Sequence, residues 1–208
     1  MISTTLDIAF YNAQLRGASP EEIIAWVYTK AHSPIATTSF GVYSAALLYA
    51  CTNVAKNIPV IWCDTGYNTK ATYSHANKLI KSLSLTIDIF TPKRTTAHLD
   101  SLLGRPNINN PNHKMFAEEV KLEPFARALD KYKPDVWFSN LRFGKTSFRN
   151  TLDILSFTED GILKVSPFYH FSDEDLIQYL KQHNLPMELD YYDPVKALEH
   201  RECGIHFS

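Results

Sequence analysis

A doubly wound α/β domain with a mostly parallel sheet is the architecture this sequence predicts. Three observations carry it: short apolar runs alternate with helical periodicity, turn residues separate them, and 45% of the 208 residues are apolar. Strands buried on both faces read as unbroken apolar runs, and their alternation with helices implies a parallel sheet covered on both sides. The length suits one domain with a sizeable core. The expected division is a single α/β domain over residues 1–186 and a mobile C-terminal tail over residues 187–208.

The first predicted helix lies in SPEEIIAWVYTKAH, where Ser19 is the N-cap, Pro20 occupies the first helical position and Glu22 closes a capping box. PIATTSFGVYSAALLYA then reads as strand, Thr/Ser/Gly turn and a small-residue helix from about Val42. The same order repeats in IPVIWCDTGYNTKATYSHANKLIKSL: an apolar run from Ile58 to Cys63, the turn DTGY, and a helix with Lys78 and Lys81 near its end. LTIDIF supplies a third strand. From Thr91 to Lys114 the pattern weakens, and the Asn/Pro-rich half predicts a long surface loop without assigned secondary structure. FAEEVKLEPFARALDKY predicts a helix leading into the strand DVWFS. LDILSF and ILKVSPF flank Thr158-Glu159-Asp160-Gly161 as a hairpin, and Ser172 caps a final helix in SDEDLIQYLKQH.

Composition excludes several classes of function. The formal charge is -1 from 21 basic and 22 acidic residues without a long single-sign block, so no nucleic-acid footprint is expected and any bound polyanion is small. No leader-like basic flank and no membrane-length apolar stretch is visible, which predicts a cytoplasmic protein without a membrane partner. Cys51, Cys63 and Cys203 form neither a disulfide framework nor a C-x-x-C pair, and the eight histidines show no H-x-x-x-H spacing. No metal site is therefore expected.

Four stretches can carry chemistry. Thr37-Thr38-Ser39-Phe40-Gly41 follows the first strand with hydroxyls and backbone N–H groups that suit an anion, although such loops are also ordinary turns. Asp64-Thr65-Gly66-Tyr67 ends the second strand on the same sheet edge and either caps a helix or meets a ligand. Arg142, Lys145 and Arg149 follow the fourth strand, where guanidinium groups can bind phosphate or sulfate through paired N–H bonds. Cys203 in ALEHRECGIHFS has His200, Arg201 and His206 nearby, which would favour its thiolate if they pack around it. Cys51 and Cys63 fit burial better.

Taken in order, TTSFG, IPVIWCDTGY, VKLEPFARAL, WFSNLR with an arginine seven positions later, LKVSPF, IQYLKQHNL and RECGIH resemble the phosphoadenylyl-sulfate reductase family from about Pro34 onward. The final Glu-Cys-Gly-Ile-His, similar to the family's Glu-Cys-Gly-Leu-His, is the most specific element. The resemblance implies an adenine-nucleotide alpha-hydrolase-like fold. It further implies reduction of 3′-phosphoadenylyl sulfate to sulfite and adenosine 3′,5′-bisphosphate, in sulfate assimilation. Matching positions make Cys203 the nucleophile that forms an S-sulfocysteine, resolved by thioredoxin or glutaredoxin as reductant with no bound cofactor. Thr38, Ser39, Phe40, Gly41, Asp64, Thr65 and Gly66 would hold the nucleotide. Lys121, Arg142 and Arg149 would neutralise its sulfate and phosphate charge, and His206 is a further substrate-binding position. The segment before Lys121 reads FAEEV and lacks the paired cysteines of the iron–sulfur sister branch, and relatives often pair as homodimers.

Two stretches depart from the family pattern. Arg142-Phe143-Gly144-Lys145-Thr146 stands where two adjacent arginines and a Glu-Gln-Ser run are usual. Only 14 residues, Met187 to His200, precede Arg201, without the Gly-Asp-Thr-His-Thr-Thr run. That linker still reaches roughly 45 Å when extended. The shortening keeps open a catalytically silent nucleotide binder. An adenylating ATP pyrophosphatase is the other alternative, although TTSFG lacks the Ser-Gly-Gly-x-Asp-Ser loop of that group.

Overall fold

The first strand, β1 (Pro34–Thr38), pairs in parallel with β2 (Pro59–Cys63) on one side and with β4 (Val136–Phe138) on the other. Beyond β2 lies β3 (Thr86–Phe90), also parallel; beyond β4 lies β6 (Leu163–Val165), and β5 (Leu155–Phe157) closes that edge antiparallel to β6. The sheet order is therefore β3-β2-β1-β4-β6-β5. The computed structural model that gives this arrangement describes residues 6–107 and 109–195. No helix among them is long and apolar enough to cross a membrane.

Strand side chains alternate between faces, and the core divides accordingly. Ala36, Val60, Trp62, Val136 and Phe138 join one buried cluster with residues of α1 (Ile8–Leu15), α2 (Pro20–Tyr28), α3 (Ser44–Val54), α4 (Lys70–Ser82) and α8 (Asp173–Gln182). Ile35, Ile61 and Trp137 join the other with α5 (Thr96–Leu103), α6 (His113–Ala117) and α7 (Glu123–Tyr132). Burial on both faces is the reason these strands lack a polar side in the sequence.

Local signals explain most boundaries. The Ser19 hydroxyl accepts from the Glu22 N–H while Glu22 Oε2 accepts from the Ser19 N–H at 2.7 Å, the expected capping box of α2. Ser172 and Asp175 do the same for α8. At the hairpin between β5 and β6, Thr158 and Gly161 close the turn, with Gly161 at φ +81°. The stretch from Thr91 to Lys114, expected as loop, contains helix α5 and the first two residues of α6. Thr95 caps α5 and Gly104 ends it, and its Leu99 and Leu103 are buried one helical turn apart. Helices of eight and five residues are too short for a clear periodic signal.

Helix α1, also without a clear sequence signal, protects the sheet edge. Asn12 donates from Nδ2 to the Leu155 carbonyl at 3.0 Å and accepts from the Leu155 N–H at 2.8 Å, as a neighbouring strand would. An edge strand with its backbone satisfied in this way presents less of a template for pairing with another chain. Asn12→Ala strands both buried groups and should destabilise the fold by about 2–4 kcal/mol. The expected readout is a lower urea midpoint with an unchanged denaturant slope.

Candidate functional site

From β1 the chain proceeds outward to β2 and β3 and then returns to place β4 on the opposite side. Crevices form where strand order reverses in this way, at the carboxyl ends of the strands. Here the crevice is a cleft of about 330 Å3 lined by residues that follow β1 and β4, together with Ile61 and Cys63 of β2.

The loop after β1 owes its shape to Phe40. Thr38 Oγ1 accepts from the Phe40 N–H at 3.0 Å, and Phe40 adopts the left-handed region at φ +49°. Its ring is fully buried and packs edge-on to Trp62, with centroids 4.8 Å apart. Phe40, expected among the nucleotide-binding residues, is thus an anchor in the core, and burial of an aromatic ring offsets the strained backbone. Thr38, Ser39 and Gly41 line the cleft, followed by Tyr43 and Ser44 at the start of α3. The positive end of the α3 dipole consequently faces the cleft.

Three cations reach the same space. Lys121, Arg142 and Arg149 line the cleft and are 6%, 7% and 9% exposed. Lys121 occupies a π-helical turn, Glu118–Leu122, in which the Glu123 N–H bonds back to the Glu118 carbonyl. The following Pro124 has no N–H to offer Val120, so the backbone there cannot keep the α pattern. The sequence period alone makes Lys121 an ordinary helix lysine; the π turn buries it. Arg142 donates to Asp173 at 2.5 Å and lies 4.9 Å from the Tyr43 ring centroid. Burial pushes the Asp173 pKa upward, but hydrogen bonds from Arg142 and Lys145 outweigh that effect and hold it below the usual carboxylate range. Lys145 meets Asp173 at 3.1 Å on the outer side and does not line the cleft.

The Asp64-Thr65-Gly66 turn, expected to hold nucleotide, is adjacent to the cleft-lining Cys63 but does not itself line the cleft. Asp64 accepts from the Gly66 N–H, Asn68 Nδ2 and the Tyr73 hydroxyl at 2.8–3.0 Å. Burial and the Asp64 carboxylate push the Tyr73 hydroxyl up to about 12. Thr69, not Asp64 or Thr65, caps α4. Gly66 has φ +79°, and a Cβ there would sit 2.8 Å from Thr96 Cγ2, so a side chain is excluded twice over. Cys51 is buried in α3, which pushes its thiol pKa up, whereas Cys63 is only half-buried.

Two cleft residues had no sequence signal. Tyr191 donates to Ser39 Oγ at 3.0 Å, and the Asp193 carboxylate pairs with Lys121 at 2.5 Å. Both belong to residues 187–195, expected as the beginning of a mobile tail. This stretch has no regular structure, yet Thr69 Oγ1 donates to the Asp190 carbonyl at 2.9 Å and Val195 is buried in the second core cluster. Docking therefore extends beyond the expected boundary at residue 186 to at least Val195. Cys203 and His206 lie outside the described residues. Among the described residues, no three His, Cys, Asp or Glu side chains are grouped so as to hold a metal ion.

The family model for the phosphoadenosine phosphosulfate reductase domain matches residues 33–192. A phosphoadenosine 5′-phosphosulfate reductase of Photobacterium profundum is 33% identical over 187 residues, covering 89% of this chain and 74% of that protein. One from Synechococcus is also 33% identical, covering 84% and 76%. Among solved structures, a phosphoadenylyl-sulfate reductase from Candida auris superposes with a TM-score of 0.79 at 20% identity, covering 90% of this chain and 91% of that one. The NH3-dependent NAD synthetase of Campylobacter jejuni, at 14% identity and a TM-score of 0.56, covers 80% and 71%. The fold is thus the adenine-nucleotide alpha-hydrolase-like type, shared across different chemistries.

Asp173 offers a direct test of how the basic cleft is braced. Its folded pKa is depressed, so the stabilisation from its pairing is present above the ordinary carboxylate value of about 3.9 and is lost as pH falls through the lower folded value. Asp173→Asn should destabilise the protein by up to about 1 kcal/mol near neutrality. In urea titrations run at successively lower pH, the gap between variant and parent should close below that window.

Proposed function

The chain belongs to the phosphoadenosine phosphosulfate reductase family, and from that membership we propose that it reduces 3′-phosphoadenylyl sulfate to sulfite and adenosine 3′,5′-bisphosphate. The observation that carries the reading is the convergence of Lys121, Arg142 and Arg149 on one cleft at the sheet's switch point. Cations held largely out of water bind multiply charged oxyanions strongly, and charge developing on a leaving phosphate is stabilised by the same groups. In this reading the sulfate and phosphates lie against those three residues and the first turn of α3. The nucleoside extends toward β2 and the Asp64-Thr65-Gly66 turn.

Cys203 supplies the nucleophile. Its thiolate attacks the sulfate sulfur, an S–S bond forms, and the S–O bond to the 5′-phosphate breaks with its electron pair departing on adenosine 3′,5′-bisphosphate. The product on the protein is an S-sulfocysteine. A dithiol reductant of the thioredoxin or glutaredoxin class then attacks Cys203 Sγ, sulfite leaves with the bonding pair, and the second thiol of the reductant closes its disulfide. Two electrons pass from dithiol to sulfur, so no bound redox cofactor is required. The chemistry needs Cys203 as a free thiol, which places the protein in a reducing compartment such as the cytoplasm. Cys203 lies ten residues beyond Asp193, a span of up to about 33 Å, so reach from the cleft is not limiting.

Incubation with 3′-phosphoadenylyl sulfate in the absence of reductant should add one sulfonate to Cys203 in intact-mass spectra, and thioredoxin should remove it with release of sulfite. Cys203→Ser should abolish both signals while nucleotide binding persists. An unmodified thiol under these conditions would overturn the reading. Lys121→Met should lower kcat by roughly 10²–10³-fold if its charge acts in the transition state.

A further inference from the structure

The segment from Asp190 to Val195 crosses the cleft as an anchored strap. Thr69 Oγ1 donates to the Asp190 carbonyl, the Tyr191 hydroxyl to Ser39 Oγ, and Lys121 Nζ to Asp193 Oδ2; His113 Nε2 lies 3.1 Å from the Val195 carbonyl. Tyr191 and Asp193 themselves line the cleft, and the Tyr191 ring sits 3.4 Å from where a Cβ on Gly41 would be. The strap thus touches both the hydroxyl-bearing loop after β1 and one of the three cations.

Chemically, the Asp193 carboxylate resembles what a sulfonucleotide would bring. It is a delocalised oxyanion on a lysine ammonium, with side chains that are 5% and 8% exposed respectively. A sulfate or phosphate oxygen arriving at Lys121 meets a carboxylate of like charge beside the same ammonium. Mutual repulsion at such a distance is strong where water is excluded, so the two anions compete. Ser39 Oγ is likewise occupied by Tyr191, so two ligand-facing groups are held by one segment.

We propose that Asp193 is an internal counter-anion, exchanged at Lys121 for the sulfate or phosphate of the substrate, and that this exchange unlatches the 190–195 strap that leads to Cys203. The inference rests on reading the cleft as a sulfonucleotide site. By linkage, the factor by which the closed latch weakens anion binding is the factor by which bound anion weakens the latch, so weakening the latch tightens anion binding.

Binding of two probes, inorganic sulfate and adenosine 3′,5′-bisphosphate, should be measured on the full chain by calorimetry, together with hydrogen exchange of residues 190–195. Asp193→Asn should tighten both probes by about fivefold or more. Tyr191→Phe keeps every charge but removes one anchor, and should act in the same direction to a smaller extent. In the parent protein, saturating probe should accelerate amide exchange in the strap. Weaker binding in both variants, or slower exchange when the probe is added, would overturn the proposal and make the strap a clamp that closes on ligand. Sulfate binding that tightens in Asp193→Asn while no variant binds the nucleotide would support the exchange but sink the sulfonucleotide reading. Nucleotide binding that is unchanged by either substitution would sink the exchange and leave that reading intact.

Discussion

Three like charges share a cleft of about 330 Å3, and the neighbourhood is organised around making that tolerable. Unit charges 4 Å apart interact by about 4 kcal/mol at the effective dielectric of a protein surface, and by more where water is excluded. Counter-charges and an aromatic face offset that repulsion at Arg142 and Lys121. Asp173 supplies one for Arg142 from the first turn of α8, the Tyr43 ring covers the same guanidinium, and Asp193 answers Lys121. These partners come from elements far apart in the chain, so the charge problem ties the loop after β4, helix α8 and the strap into one unit.

The sheet provides the frame. The ends of β1, β2 and β4, which carry the cleft loops, are fixed by ladder bonds on both sides and by a core on both faces. Trp137 illustrates the link: its ring is buried against Phe125 in the core of one face, while its Nε1 donates to Thr37 Oγ1 at 2.8 Å at the cleft. Packing on β4 thereby sets the position of the loop after β1. The left-handed Phe40 and the π turn at Lys121 are local departures from regular backbone, and both put a side chain where a regular helix or strand would not. Strain of this kind persists when the surrounding packing overdetermines it.

The Lys121–Asp193 pair is of a different character from the core contacts. Removing two charges from water costs several kcal/mol per ion, and their attraction only about repays it, so a buried pair contributes little net stability. Docking of residues 190–195 therefore draws on its other hydrogen bonds and on Val195, whose apolar side chain is 2% exposed. The fold tolerates wide sequence change: the Candida auris enzyme superposes at a TM-score of 0.79 although only 20% of residues are identical.

The sequence by itself determined the parallel α/β architecture, because burial on both faces of a strand leaves an unbroken apolar run that no other arrangement explains as well. It also determined the caps at Ser19 and Ser172, the Thr158–Gly161 hairpin and the basic character of the loop holding Arg142 and Arg149, since each depends on neighbours within a few positions. The family membership was legible for the same reason, in short motifs spread along the chain. Only tertiary structure decided that Phe40 turns into the core, that Lys121 is buried, that Asp64 braces Tyr73, and that Tyr191 and Asp193 complete the cleft. Those outcomes rest on contacts between residues some ten to 150 positions apart, where hydrogen bonding and charge pairing depend on distance in space and leave no period in the chain.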